Sequence, residues 1–134
     1  MVGIVIVAHF GLSEEFLSTM NRIYSEITQI EAVSIDTQEN SDALRTRIKR
    51  AMKNVDSGDG ILILTDMFGG TPSNISLSFL EEGKVEVLTG VNLPMLLKIY
   101  HCRDVDLLTL AHYLKHAGQE GINLASEILA KNCD

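Results

Sequence analysis

Two stretches of this chain, VGIVIVA at 2–8 and GILILTD at 60–66, are almost unbroken apolar runs rich in branched side chains. Such a run is short for a helix, and a strand without polar alternation must be covered on both faces. The sequence around the runs supplies the cover. Phe16, Leu17, Met20, Ile23, Tyr24 and Ile27 recur at helical spacing over 13–29, with Ser13 as the cap. IEAVSID at 30–36 reads as a second strand, and Leu44, Ile48, Ala51 and Met52 mark a helix over 40–54. A helix over 71–82 follows the third strand, KVEVLTG at 84–90 makes a fourth, and LPMLLKIYHC at 93–102 is helical again. The helical period continues through DLLTLAHYLKHAG, and the tail QEGINLASEILAKNCD fits a strand or a helix. Strands separated by helices imply an α/β fold: a mainly parallel open sheet of four strands, with right-handed crossovers and helices on both faces. No linker, repeat or low-complexity tract divides the chain, so residues 1–134 are expected to form a single domain.

Composition narrows the function. Hydrophobic residues make up 46% and charged residues 22%, ordinary for a globular protein, and no apolar run is long enough to span a membrane. The net charge of −7 opposes binding to a nucleic-acid backbone or an anionic lipid surface. Cys102 and Cys133 lack any CxxC or Cys/His spacing, and the first residues read as a strand and not an export signal. Two free, reduced thiols and a cytoplasmic location are therefore expected.

In an open parallel sheet the functional crevice lies beyond the carboxyl ends of the strands. His9 stands at one such end and Asp66 at another. After Asp66, Gly69 and Gly70 permit close backbone approach, and Thr71-Pro72 signals a helix start with its hydroxyl at the cap. The amides of such a terminus attract phosphate, although the lysine-bearing pattern of a nucleotide P-loop is absent. An imidazole can attack phosphorus through one nitrogen when a carboxylate holds the other. His9 and Asp66 are thus a candidate nucleophile and its orienter, with the Gly70 and Thr71 amides and the Thr71 hydroxyl binding phosphoryl oxygens. Taken singly, a histidine after a strand is commonly a loop residue, and GGTP is commonly a turn into a helix. Their joint occurrence at strand ends carries the reading.

IVIVAH near the start, DMFGGTPSN in the middle and GVNLPML at 90–96 together resemble the mannose-family enzyme IIA of the phosphoenolpyruvate-dependent sugar phosphotransferase system. The resemblance runs over essentially the whole chain, with the motifs in order. It implies that His9 accepts a phosphoryl group on Nε2 from phospho-HPr while Asp66 binds Nδ1. It further implies that the group passes to a IIB component, and thence, with the membrane IIC and IID components, to a sugar. The chemistry needs no cofactor or metal. The resemblance also implies an antiparallel edge strand exchanged within a homodimer, for which Gly121–Ser126 is the candidate. Many relatives have glycine directly after the histidine; here Phe10 stands there, before Gly11. Phe10, Met67, Phe68 and Leu93 are expected near the rim as docking surface, with ordinary packing an equal reading for Leu93.

Other features weigh less. His112 and His116 have a spacing that can bind a metal but no evident third ligand, and they read, like His101, as residues near helix ends. RTRIKR at 45–50 reads as a solvated helix face. A receiver domain is excluded because Val7, Ala8 and His9 stand where its acidic pair would hold magnesium. The phosphotransferase subunit of dihydroxyacetone kinase fits DMFGGTPSN less well. A regulatory phosphocarrier that reports nutrient status without feeding a transporter has the same sequence features.

Overall fold

The computed structural model describes residues 1–133, and for Thr71, Pro72 and residues 131–133 it describes the backbone alone. Four strands, β1 (Gly3–His9), β2 (Ile30–Ile35), β3 (Ile61–Thr65) and β4 (Val85–Thr89), form one sheet in the order β2-β1-β3-β4. Every neighbouring pair is parallel, with His9 level with Ile35 and Val7 level with Thr65. The chain winds outward from β1 to β2, then returns to β3 on the other side. The strand order therefore reverses between β1 and β3, and the crevice expected at such a reversal opens at His9 and Asp66.

The unbroken apolar runs have the physical consequence their pattern dictates. Even-numbered residues of β1 and β3 (Ile4, Ile6, Leu62, Leu64) pack against α1 (Leu12–Ile23), α4 (Leu93–Cys102) and α5 (Leu107–Glu120). Odd-numbered residues (Val5, Val7, Ile61, Ile63) pack against α2 (Ser41–Val55) and α3 (Gly70–Leu77). Both layers are buried, each large side chain contributing about 1.5–3 kcal/mol by leaving water. The same parity turns the His9 side chain toward the α2/α3 layer.

Several boundaries move from the sequence reading. The first helix stops at Ile23, not near 29, and the Asn21 side chain accepts the Ile27 N–H to close the exit turn. Ile27 keeps its place against the core from this loop, so its apolar character was real but not helical. Ser13 does not cap α1: Gly11 occupies the cap position and Ser13 lies buried inside the first turn. Helix α3 starts at Gly70, so Thr71 falls within its first turn and not at its cap. It ends at Leu77, because residues beyond it turn back: the Glu81 and Val85 amides and carbonyls bond each other around Gly83, at φ 77°. The RTRIKR stretch is more than a solvated face. Arg45 donates to Ser78 Oγ and lies over the Phe79 ring, and Arg47 donates to the Ser34 carbonyl and pairs with Glu39.

The tail resolves toward helix over α6 (Ala125–Cys133). The antiparallel edge strand is not formed within this single chain: among the described residues the sheet has four strands, and residues 121–124 lie exposed between α5 and α6. One long edge of β4 thus carries no partner strand.

Candidate functional site

His9 ends β1 because the ladder to β2 carries it there: the Phe10 N–H donates to the Ile35 carbonyl, one residue past the strand. Asp66 follows β3 directly. The two meet closely. One carboxylate oxygen, Asp66 Oδ2, accepts both the His9 backbone N–H at 2.9 Å and the ring Nδ1 at 2.8 Å. The side chains are 31% and 14% exposed, so the pair is sheltered while the ring keeps a solvent-facing edge. Burial alone would raise the Asp66 carboxyl, but the two hydrogen bonds from His9 and the attraction of its ring outweigh this and hold it below the ordinary range. An ionised carboxylate can only accept, so Nδ1 carries a proton, and in the neutral ring the Nε2 lone pair is left free.

Behind Asp66 the chain is shaped by glycine. Gly69 has φ 100° and ψ 160°, a region that side-chain-bearing residues scarcely enter, and Gly70 has φ 81°. These two residues bring the N-terminus of α3 to the same end of the sheet within four residues of Asp66. The Gly70 and Thr71 amides fall in the turn whose N–H groups have no intrahelical acceptor. The Thr71 side chain lies outside the described residues.

The GVNLPML motif is architectural at this end. The Val91 N–H donates to the Thr65 carbonyl, Asn92 caps α4 through Met95 N–H, and its Nδ2 donates to the Gly118 carbonyl of α5. Leu93 is half-buried, in keeping with a packing role. The rim is apolar: Phe10, Met67 and Phe68 are 60%, 56% and 71% exposed. Leu12, three residues after His9, is also exposed, at 41%, and was not anticipated.

Sequence reading also missed the other wall. His9 opens on a cavity of about 440 Å³ bounded by the loop from Asp36 to Ser41, Leu44 of α2 and Ile75 of α3. The available signal was positional, since this loop leaves the carboxyl end of the strand beside β1. His112 and His116 are exposed on α5, remote in sequence from both strand ends, and His101 stands edge-on to Tyr24. Cys102 is a free thiol, and the Cys133 side chain lies outside the described residues.

An open parallel sheet with an aspartate-held histidine at its order reversal defines a class of α/β protein with an imidazole–carboxylate pair at the strand ends. Comparison with known proteins makes the assignment specific. The PTS system fructose IIA component family matches residues 3–116. A fructose-specific EIIA component of Bacillus subtilis is 30% identical over 133 residues, covering 98% of this chain and 91% of that protein. The mannose-specific EIIAB component of Escherichia coli is 30% identical over 90% of this chain and 38% of its own greater length. Among solved structures, an EIIA component from Streptococcus agalactiae superposes with a TM-score of 0.84 at 28% identity, covering 95% of this chain and 99% of that one. The chain belongs to the mannose-type enzyme IIA family of the sugar phosphotransferase system. Members of that family are phosphotransferase components acting in sugar uptake. No described helix is long and apolar enough to cross a membrane.

Proposed function

We propose that this protein is a cytoplasmic phosphoryl carrier that takes a phosphoryl group from phospho-HPr on His9 Nε2 and hands it to a IIB component. The observation that carries the reading is the double hydrogen bond to one oxygen of Asp66. It fixes the ring in a single orientation and a single tautomer, with the attacking nitrogen outward. In the transfer the phosphorus–donor bond breaks as the bond to Nε2 forms, and the Nδ1 proton stays between His9 and Asp66. The positive charge that develops on the ring is balanced by the carboxylate, as in hydrolytic triads. The Gly70 and Thr71 amides at the start of α3 bind the phosphoryl oxygens, where free N–H groups and the helix dipole favour an anion. The rest of the barrier falls through alignment, since phosphoryl transfer asks little covalent work of the protein.

The site is shallow, as a relay between two protein partners requires, and the exposed rings and thioether around it form the docking rim. A homodimer accompanies this reading, built through the exposed segment from Gly121 and the free edge of β4.

Incubation with phosphoenolpyruvate, enzyme I and HPr is expected to place an acid-labile phosphate on the wild-type protein. The His9→Ala variant should take up none. Labelling that survives the substitution would put the nucleophile elsewhere and end the relay reading.

A further inference from the structure

Phe10 is held in a conformation that its side chain opposes. Its φ is 51°, in the left-handed region where a Cβ crowds the neighbouring carbonyl and glycine is favoured. Such strain persists where surrounding structure or function demands it. Here burial does not repay it: the ring is 60% exposed, and its nearest aromatic neighbour is the His9 ring, at 6.4 Å between centroids. The backbone geometry itself has a clear cause. The Phe10 N–H must finish the ladder at Ile35, and Gly11 must already cap α1, so the chain has one residue in which to reverse. Glycine would satisfy that geometry without strain. A large apolar ring at this place therefore serves something outside the folded monomer.

The surroundings describe what it meets. Phe10 and Leu12 follow His9 in the chain, Met67 and Phe68 follow Asp66, and all four are exposed. The segments that leave the carboxyl ends of the strands (9–15, 36–42, 65–72 and 89–93) hold no lysine or arginine; Glu39 pairs with Arg47 and Asp66 with His9, which leaves Glu14, Glu15, Asp36 and Asp42 as the negative charge of this end. A surface that complements this end is an apolar recess in a basic surround. Large aromatic side chains at the centre of such contacts dominate binding.

Resting on the relay reading above, we propose that Phe10 is the specificity-determining anchor of this site. Its ring seats in an apolar recess of the basic-faced protein that donates the phosphoryl group to His9. Rigid placement by the strained backbone keeps the ring beside the nucleophile, so the residue that recognises the partner also sets its distance from Nε2. A small-molecule phosphoryl donor has no use for that contact.

The test separates ring from strain with two substitutions, Phe10→Ala and Phe10→Gly, each assayed with phospho-HPr and with phosphoramidate as a small donor. Both variants are expected to lower the ratio of phospho-HPr-dependent to phosphoramidate-dependent labelling at least tenfold, with the loss in KM for phospho-HPr and not in kcat. Phe10→Gly should melt several degrees above Phe10→Ala, because only alanine retains the crowded Cβ. A ratio within twofold of wild type in both variants overturns the proposal, as does an equal loss with both donors. Failure of wild-type His9 to label from either donor would instead overturn the relay reading, and this proposal with it.

Discussion

At the scale of single residues, Asp66 is the place where chemistry and stability are the same quantity. Its carboxyl is held below the usual range in the folded protein by the two donors on Oδ2. A depressed folded value means that the carboxylate stabilises the fold at pH above the unfolded value of about 3.9, and that this contribution is lost as pH falls through the folded value. Asp66→Asn keeps an acceptor of the same shape but removes the charge. It should therefore melt below wild type at neutral pH, and the gap should close in acid below about pH 4. A gap that persists there would mean that shape, and not charge, is at stake. Transfer from phospho-HPr should slow roughly a hundredfold or more, since the imidazolium character that develops in the reaction loses its counter-charge. That His9 and Asp66 would meet was legible in the sequence, because both close apolar strands at the carboxyl end of one parallel sheet. The φ of Phe10 was not, because a backbone angle leaves no mark in composition unless glycine occupies the position.

Among whole elements, legibility followed periodicity. The strands β1 and β3 and the helices α2 and α4 were readable to within a residue or two, since their apolar positions repeat cleanly. Boundaries failed where an apolar residue packed from a loop, as Ile27 does, or where a turn pair such as Glu81 and Val85 ended a helix early. Arg103 shows what no pattern announces. It is 9% exposed, and its guanidinium donates to the carbonyls of Val2, Thr28 and Gln29, stapling the start of β1 to the entry of β2. The Gln29 carbonyl also accepts the Ile4 N–H of the ladder, so the planar fork of donors adds a second bond there and serves the Val2 and Thr28 carbonyls beside it. Arg103→Met fills the volume but leaves the buried Val2 carbonyl and the part-buried Thr28 carbonyl without their donor. It should cost about 3 kcal/mol or more, seen as a fall in Tm of roughly 10 °C. Phosphoryl uptake at temperatures where the variant is folded should match wild type, because the staple sits at the amino end of the sheet, opposite His9. A variant that melts like wild type would show that water serves those carbonyls as well.

For the whole molecule, the unfinished surface lies at the C-terminal end. Ile122, Leu124, Ile128 and Leu129 are 76%, 61%, 43% and 65% exposed, an apolar set that a monomer has no reason to present. Beside it the outer edge of β4 has no partner strand among the described residues: Glu81 pairs with Val85 and the Glu86 carboxylate accepts the Val87 N–H, which leaves the edge beyond Val87 as a template for another strand. Both needs are met together if residues 121–126 of one copy pair along β4 of a second, which also completes the antiparallel strand that the family resemblance implies. The sequence could not decide this, because GINLAS is short enough to satisfy a strand or a turn before a helix, and the choice depends on a second chain. Leu124→Asp places a charge in the middle of that segment. Wild type is expected to run as a dimer by light scattering coupled to size exclusion at micromolar concentration. The variant should run as a monomer, still folded by circular dichroism, since Leu124 is 61% exposed and belongs to neither core cluster. A wild-type monomer would leave the exposed apolar set for another partner, and a variant that stays dimeric would place the interface away from this segment. The His9–Asp66 pair lies on strands whose cores are complete within one chain, so under the proposed relay the monomeric variant should still label on His9, and the two properties can be separated in one preparation.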